Sequence, residues 1–191
     1  MTAPNRPQPA DHAPGDIRPP AGVEWLAGDP TPSHRAVAIA VARFNGEITS
    51  QLLDSALTEL DALGVTRAQI AVATVPGAFE LPIVAQALAR TGRYACVVAL
   101  GCVIRGETAH FDYVAGEAAS GLQTASLQTG VPIAFGVLTV DTVEQAQART
   151  ASSRDAVRTA LEMADLIDQI RATPTVSPHT DRDNETYGSR G

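Results

Sequence analysis

Hydrophobic residues in the body of this chain switch between two spacings. Four short runs, 35–42, 69–75, 94–100 and 132–139, are almost free of polar residues. Runs of this length, bounded by turn residues, predict buried parallel strands. Between them the period lengthens to that of a helix. Ile48, Leu52, Leu53, Ala56, Leu57, Leu60 and Leu63 share one helical face, and Gly64 is placed to stop that helix. A helix over 78–89 tolerates Pro82 in its first turn. A long helix over 107–129 carries Phe111, Val114, Ala118, Leu122 and Ala125 on one side. Asp141 or Thr142 can cap a further helix, with Glu144 or Gln145 completing a capping box. Val157, Leu161, Ala164, Ile167 and Ile170 mark the last. Strands alternating with crossover helices predict an α/β fold: a four-stranded parallel sheet with helices on both faces.

Open parallel sheets bind ligands beyond the carboxyl ends of their strands. The residues there are Arg43-Phe44-Asn45, the 76–80 stretch PGAFE, the stretch 102–110 and Asp141 onward. Residues 101–113 read GCVIRGETAHFDY. Gly101 is expected to end the third strand and Gly106 to open the next helix. Free N–H groups at such a helix start attract anions. That predicts a phosphate-sized site near Thr108, with His110 one turn into the helix. Glu107 must turn its carboxylate away there and offer only its N–H. The other histidines, His12, His34 and His179, fall in the tails or at the body's edge. His110 is therefore the candidate general acid/base. Asp112 cannot face it on a straight helix.

A lone Phe most often packs in a core. Aromatic residues make up only 4% of this chain, yet Phe44 and Phe79 both stand at strand ends. That points to a flat ring ligand held by stacking. Phe135 falls inside the fourth strand. Glu80 reads as a helix-start carboxylate or as an acceptor for sugar-like hydroxyls. Asn45 reads as a turn residue or as a donor and acceptor for ligand. Arg149, on the helix after the fourth strand, is a solvated charge or a clamp on phosphate.

A net charge of −7 argues against a nucleic-acid partner, which calls for a basic patch. No apolar run approaches the ~20 residues that span a bilayer, and no signal-peptide core is present, so a cytoplasmic protein is expected. Cys96 and Cys102 lack metal-site and disulfide-framework spacing and read as free thiols. No metal site is expected. Residues 1–33 hold eight of the 13 prolines, and 173–191 are polar. Both are expected to be disordered tails around a single domain at 34–172.

Several strings resemble those of the 6,7-dimethyl-8-ribityllumazine synthase family. They are RFN at 43–45, VPGAFELP at 75–82, GCVIRGETAHFDYV at 101–114, FGVLT at 135–139, EQA at 144–146 and LEMA at 161–164. The resemblance implies a flavodoxin-like three-layer sandwich. It implies a transferase that condenses 5-amino-6-(D-ribitylamino)uracil with 3,4-dihydroxy-2-butanone 4-phosphate, the penultimate step of riboflavin biosynthesis. It implies no cofactor. Phe44 would stack on the pyrimidine. Ala78, Phe79 and Glu80, with the backbone of Cys102, Val103 and Ile104, would bind the ribityl-bearing substrate. Glu107, Thr108 and Arg149 would hold phosphate, His110 would move protons, and Phe135 would come from a neighbouring subunit. The implied partners are small-molecule substrates and other copies of the chain. Pentamer, decamer and sixty-subunit capsid all remain open, as does association with riboflavin synthase. An N-terminal strand containing Val23, Trp25 and Leu26 would extend a neighbour's sheet. Family members usually carry a longer loop with Gly and Lys after Arg149; here that stretch is short and has neither.

Two other readings compete. A non-catalytic shell or ligand-binding protein on the same fold would have no need of His110, Arg149, Phe44 and Glu80 together. An unrelated flavodoxin-like regulatory module would place an acidic cluster or a glycine-rich phosphate loop after the first strand, where this chain has Arg43-Phe44-Asn45-Gly46.

Overall fold

The structure, a computed structural model, describes residues 17–31 and 36–172. Four strands, β1 (Ala36–Ala42), β2 (Ile70–Val75), β3 (Tyr94–Ile104) and β4 (Ile133–Val140), form one parallel sheet in the order β2-β1-β3-β4. Helices α1 (Gly46–Ala62), α2 (Leu81–Arg90), α3 (His110–Thr129), α4 (Val143–Gln147) and α5 (Ser153–Ala172) connect and cover it. This is the expected three-layer α/β/α sandwich.

The alternation in β1, AVAIAVA, sets the two faces. Val37, Ile39 and Val41 point into a core closed by α1 and α5, with Leu52, Leu60 and Val157 fully buried there. Ala38, Ala40 and Ala42 face α2 and α3, packing with Leu81, Ala85 and Leu122. Small residues on this face let the α2–α3 layer sit close to the sheet. Gly64, at φ +85°, ends α1 in the left-handed conformation that glycine takes without strain.

Two element boundaries differ from expectation, with consequences for the site. Gly101 does not end β3. The strand runs on to Ile104 because β4 pairs with it throughout, from Val97↔Ile133 to Ile104↔Val140. Its pairing with β1 stops at Val41↔Leu100. Residues 101–104 therefore carry a partner on one flank only. The longer strand delays the next helix: α3 begins at His110, not near 107. His110 is thus the first helical residue, and not a turn inside the helix.

Part of the N-terminal segment is tied to the body. The Asp29 N–H donates to Asp165 Oδ2 at 3.0 Å, and Gln169 Nε2 donates to the Ala27 carbonyl at 2.8 Å. The rest of the two expected tails, 1–16, 32–33 and 173–191, lies outside the described residues, as do His12, His34 and His179.

Candidate active site

Three strand ends and the start of α3 enclose a cavity of about 560 Å³. The β1 and β2 ends are laced together: Arg43 N–H donates to the Val75 carbonyl at 2.8 Å and Phe44 N–H to that of Pro76 at 3.0 Å. This holds the Phe44 loop against the Pro76-Gly77 turn. Phe44 and Phe79 are 70% and 55% exposed, so neither is a core residue. Both line the cavity. Exposed rings flanking a cavity are what stacking on a flat ligand requires.

Ala78 and Glu80 line the same wall, in a short turn before α2. The Glu80 Oε2 accepts from Gly77 N–H at 2.9 Å. That bond pins the carboxylate at the cavity wall, and its remaining lone pairs can accept from ligand hydroxyls. The structural and ligand-binding readings of Glu80 are therefore compatible. Cys102, Val103 and Ile104 form the floor, on the stretch of β3 that β1 leaves unpaired. Burial pushes the Cys102 thiol above its ordinary pKa.

Thr108 and His110 close the remaining side. At the start of α3 the His110 N–H meets Thr108 Oγ1 at 3.4 Å and the Asp112 N–H donates to the Ala109 carbonyl at 3.1 Å, and backbone amides at a helix start attract anions. A threonine hydroxyl, such amides and an imidazole on one rim can hold a phosphate and move a proton beside it.

Glu107 is exposed and does not itself line the cavity, though Gly106 and Thr108 on either side of it do. Two expected site residues lie elsewhere in this chain. Phe135 is 45% exposed on β4 and borders a separate hollow of about 240 Å³ with Ser152 and Asp155. Arg149 is not on a helix: it follows α4 at a turn, and its Nη1 donates to the Gln145 carbonyl at 3.0 Å. The carboxyl end of β4, from Asp141 onward, contributes nothing to the cavity wall. β4 is an edge strand beyond β3, and the cavity opens over the other flank.

Sequence reasoning passed over Tyr113 and Val114, which also line the cavity. Tyr113 lies three residues after His110, on the same side of the helix, and that spacing was the available signal. Asn45 lines the cavity too and reaches across it at the base, where its Nδ2 donates to the Cys102 carbonyl at 3.0 Å. Among the described residues, no group of three or more His, Cys, Asp or Glu side chains is placed to hold a metal ion. No helix there is long and apolar enough to cross a membrane.

A parallel sheet with an aromatic-flanked cavity at its carboxyl edge, and with a histidine and a helix start on the rim, defines a small-molecule enzyme of the three-layer α/β class. A family model for 6,7-dimethyl-8-ribityllumazine synthase matches residues 34–168. A protein of that name from Protochlamydia amoebophila is 43% identical over 159 residues, covering 81% of this chain and 92% of its own. Another, from Yersinia pestis, is 51% identical over 147 residues, covering 74% and 94%. The chain belongs to the 6,7-dimethyl-8-ribityllumazine synthase family.

Proposed function

We propose that this chain condenses 5-amino-6-(D-ribitylamino)uracil with 3,4-dihydroxy-2-butanone 4-phosphate to give 6,7-dimethyl-8-ribityllumazine. The observation that carries the reading is the convergence of Phe44, Phe79, Glu80, Thr108 and His110 on one cavity. Flat-ring, polyol, phosphate and proton-transfer functions then meet within a space sized for two small substrates.

The pyrimidine stacks on Phe44 and meets the backbone of Cys102, Val103 and Ile104 along the open flank of β3. Ala78, Phe79 and Glu80 take the ribityl-bearing side. The ketone phosphate sits at the start of α3, against Thr108 and the N–H of Glu107, whose carboxylate faces away. The substrate amine attacks the ketone, and loss of water gives an imine. Phosphate then leaves with its C–O bonding electrons as a proton leaves carbon. The enol that this leaves takes a proton on its terminal carbon and becomes a methyl ketone, and the ribitylamino nitrogen closes the ring on that new carbonyl with loss of a second water. His110 carries protons between these steps, and positioning supplies the rest.

The phosphate needs a cation, and the chain contains no lysine; all 14 of its basic residues are arginine. Arg149 serves, but from a neighbouring copy. Phe135 and Arg149 both belong to the β4 side, away from their own cavity, so the β4 side of one copy completes the cavity of the next. Such a head-to-tail contact repeats until a ring closes, and the ring proposed is a pentamer.

The test is to mix the purified protein with both substrates and follow lumazine fluorescence. Product formation that scales with enzyme and stops when either substrate is omitted is expected. Absence of product at any assembly state refutes the reading.

A further inference from the structure

We infer that Arg105 is a positioning residue: it clamps the turn carrying Thr108 and His110 and so sets where phosphate and proton carrier stand. The kinetic consequence rests on the condensation reading above; the geometry does not. Arg105 follows the last residue of β3, and its N–H donates to the Val140 carbonyl at 2.9 Å, fixing it to the end of β4. Its guanidinium then engages three groups. Nη1 lies 3.1 Å from Asp112 Oδ1 and Nε lies 3.3 Å from Asp141 Oδ1. Its Cζ stands 4.0 Å from the centroid of the Phe111 ring. Asp112 and Phe111 belong to the first turn of α3, and Asp141 follows β4. One side chain thus ties the start of α3 to the ends of β3 and β4.

The turn between has little else to hold it. Residues 105–110 are all exposed, and a Cβ built at Gly106 would meet nothing within 4 Å. No side chain of this stretch reaches the core, and apart from the His110 N–H meeting Thr108 Oγ1 at 3.4 Å its conformation depends on its two ends. Arg105 itself does not line the cavity. Two carboxylates bracket its charge, which suits a strut better than a phosphate ligand. Arginine suits the role because its planar fork can pair edge-on while its face stacks on a ring. Exposed ion pairs add little to global stability. Misplacing a reactive group by about 1 Å, in contrast, can cost about 100-fold in rate.

The experiment uses Arg105→Met, Asp112→Asn and the double variant in the full chain. Steady-state kinetics for each substrate are paired with amide hydrogen exchange over 106–110. Arg105→Met is expected to lower kcat/KM for the phosphorylated ketone by about 10–100-fold. Its KM for the ribitylaminouracil should stay within about twofold, since Phe44 and Glu80 are untouched. Exchange at the turn should accelerate. Asp112→Asn should shift both readouts the same way but less, and the double variant should be no worse than Arg105→Met, as expected for partners in one contact. If Arg105→Met does not fold, Asp112→Asn decides by the same two readouts. Unchanged exchange and kinetics overturn the clamp. So does a tighter hold on the phosphorylated ketone in Asp112→Asn, which would make Arg105 a direct phosphate ligand. If the wild-type protein forms no lumazine while turn exchange still rises in Arg105→Met, the condensation reading fails and the clamp stands.

Discussion

The side-chain amide of Asn45 takes the place of a missing strand for Cys102. β1 has already ended where β3 reaches Cys102, and Asn45 Nδ2 supplies the donor to its carbonyl at 3.0 Å. To do so Asn45 holds φ at 56°, in the left-handed region that asparagine tolerates better than most residues. One residue thereby fixes the Phe44 loop to the cavity floor. Asn45→Ala loses the hydrogen bond and adds left-handed strain, for about 2–3 kcal/mol in total. Asn45→Gly loses the bond but accepts the backbone angle, so it should cost less. Urea unfolding of the three proteins checks the order; equal costs would show that backbone strain plays no part.

Glu59 is 6% exposed, and its Oε1 is paired with Arg158 Nη2, joining α1 to α5. Arg158→Ala strands that charge. Fully buried pairs lose about 3–5 kcal/mol when one partner is removed. Arg158 is half-exposed, so water offsets part of the loss and about 1–3 kcal/mol is expected. Adding Glu59→Leu should recover most of it, because the stranded charge is gone. Thermal melts of the single and double variants measure this.

Desolvation pushes the Cys96 thiol up from 9.0 to about 12. Below pH 9 both folded and unfolded chains keep the proton, and no dependence arises. Between about 9 and 12 the unfolded chain loses it while the folded chain retains it. The unfolded state then binds fewer protons, so stability falls as pH rises. The maximum slope is about 1.4 kcal/mol per pH unit. Burial raises the Cys102 thiol too, which adds to the fall. Denaturant unfolding at stepped pH should show the fall, and Cys96→Ala should make it shallower.

His110→Asn keeps shape and some hydrogen bonding but removes the imidazole proposed as proton carrier. We expect kcat to fall by no more than about 100-fold, the low end for general acid–base groups. The amine and ketone can condense slowly unaided, and the substrate phosphate can shuttle protons. Affinity for the ribitylaminouracil should hold, since Phe44 and Glu80 remain. Stopped-flow fluorescence and equilibrium titration separate the two effects; an unchanged kcat would leave catalysis to positioning alone.

Arg149→Ala should raise KM for the phosphorylated ketone by about 10–150-fold, the range for losing one charge-assisted contact. If Arg149 acts on a neighbour's cavity as proposed, this variant should complement His110→Asn. Co-assembled one to one, about a quarter of the sites pair an intact cavity with an intact β4 side, and activity returns. Activity no higher than the sum of the two parents would put both residues in one copy's site.

The residues themselves determined where strands and helices lie, because period, glycine stops and capping side chains are local properties. They also determined most of the cavity wall: Phe44, Ala78, Phe79, Glu80, Thr108 and His110 follow strand ends, and in a parallel sheet strand ends converge. Only the tertiary structure decided how far β3 runs. A glycine after an apolar run looks like a stop, yet the 101–104 stretch stays extended because β4, from a distant part of the chain, pairs with it. Where α3 starts, and so where His110 stands, follows from that pairing. The same holds for Asn45 and Arg105, whose partners lie on other elements. Phe135 and Arg149 fall away from the cavity because the strand order puts β4 at an edge. Strand order and pairing length are settled by contacts between distant segments, and no periodicity within one segment records them.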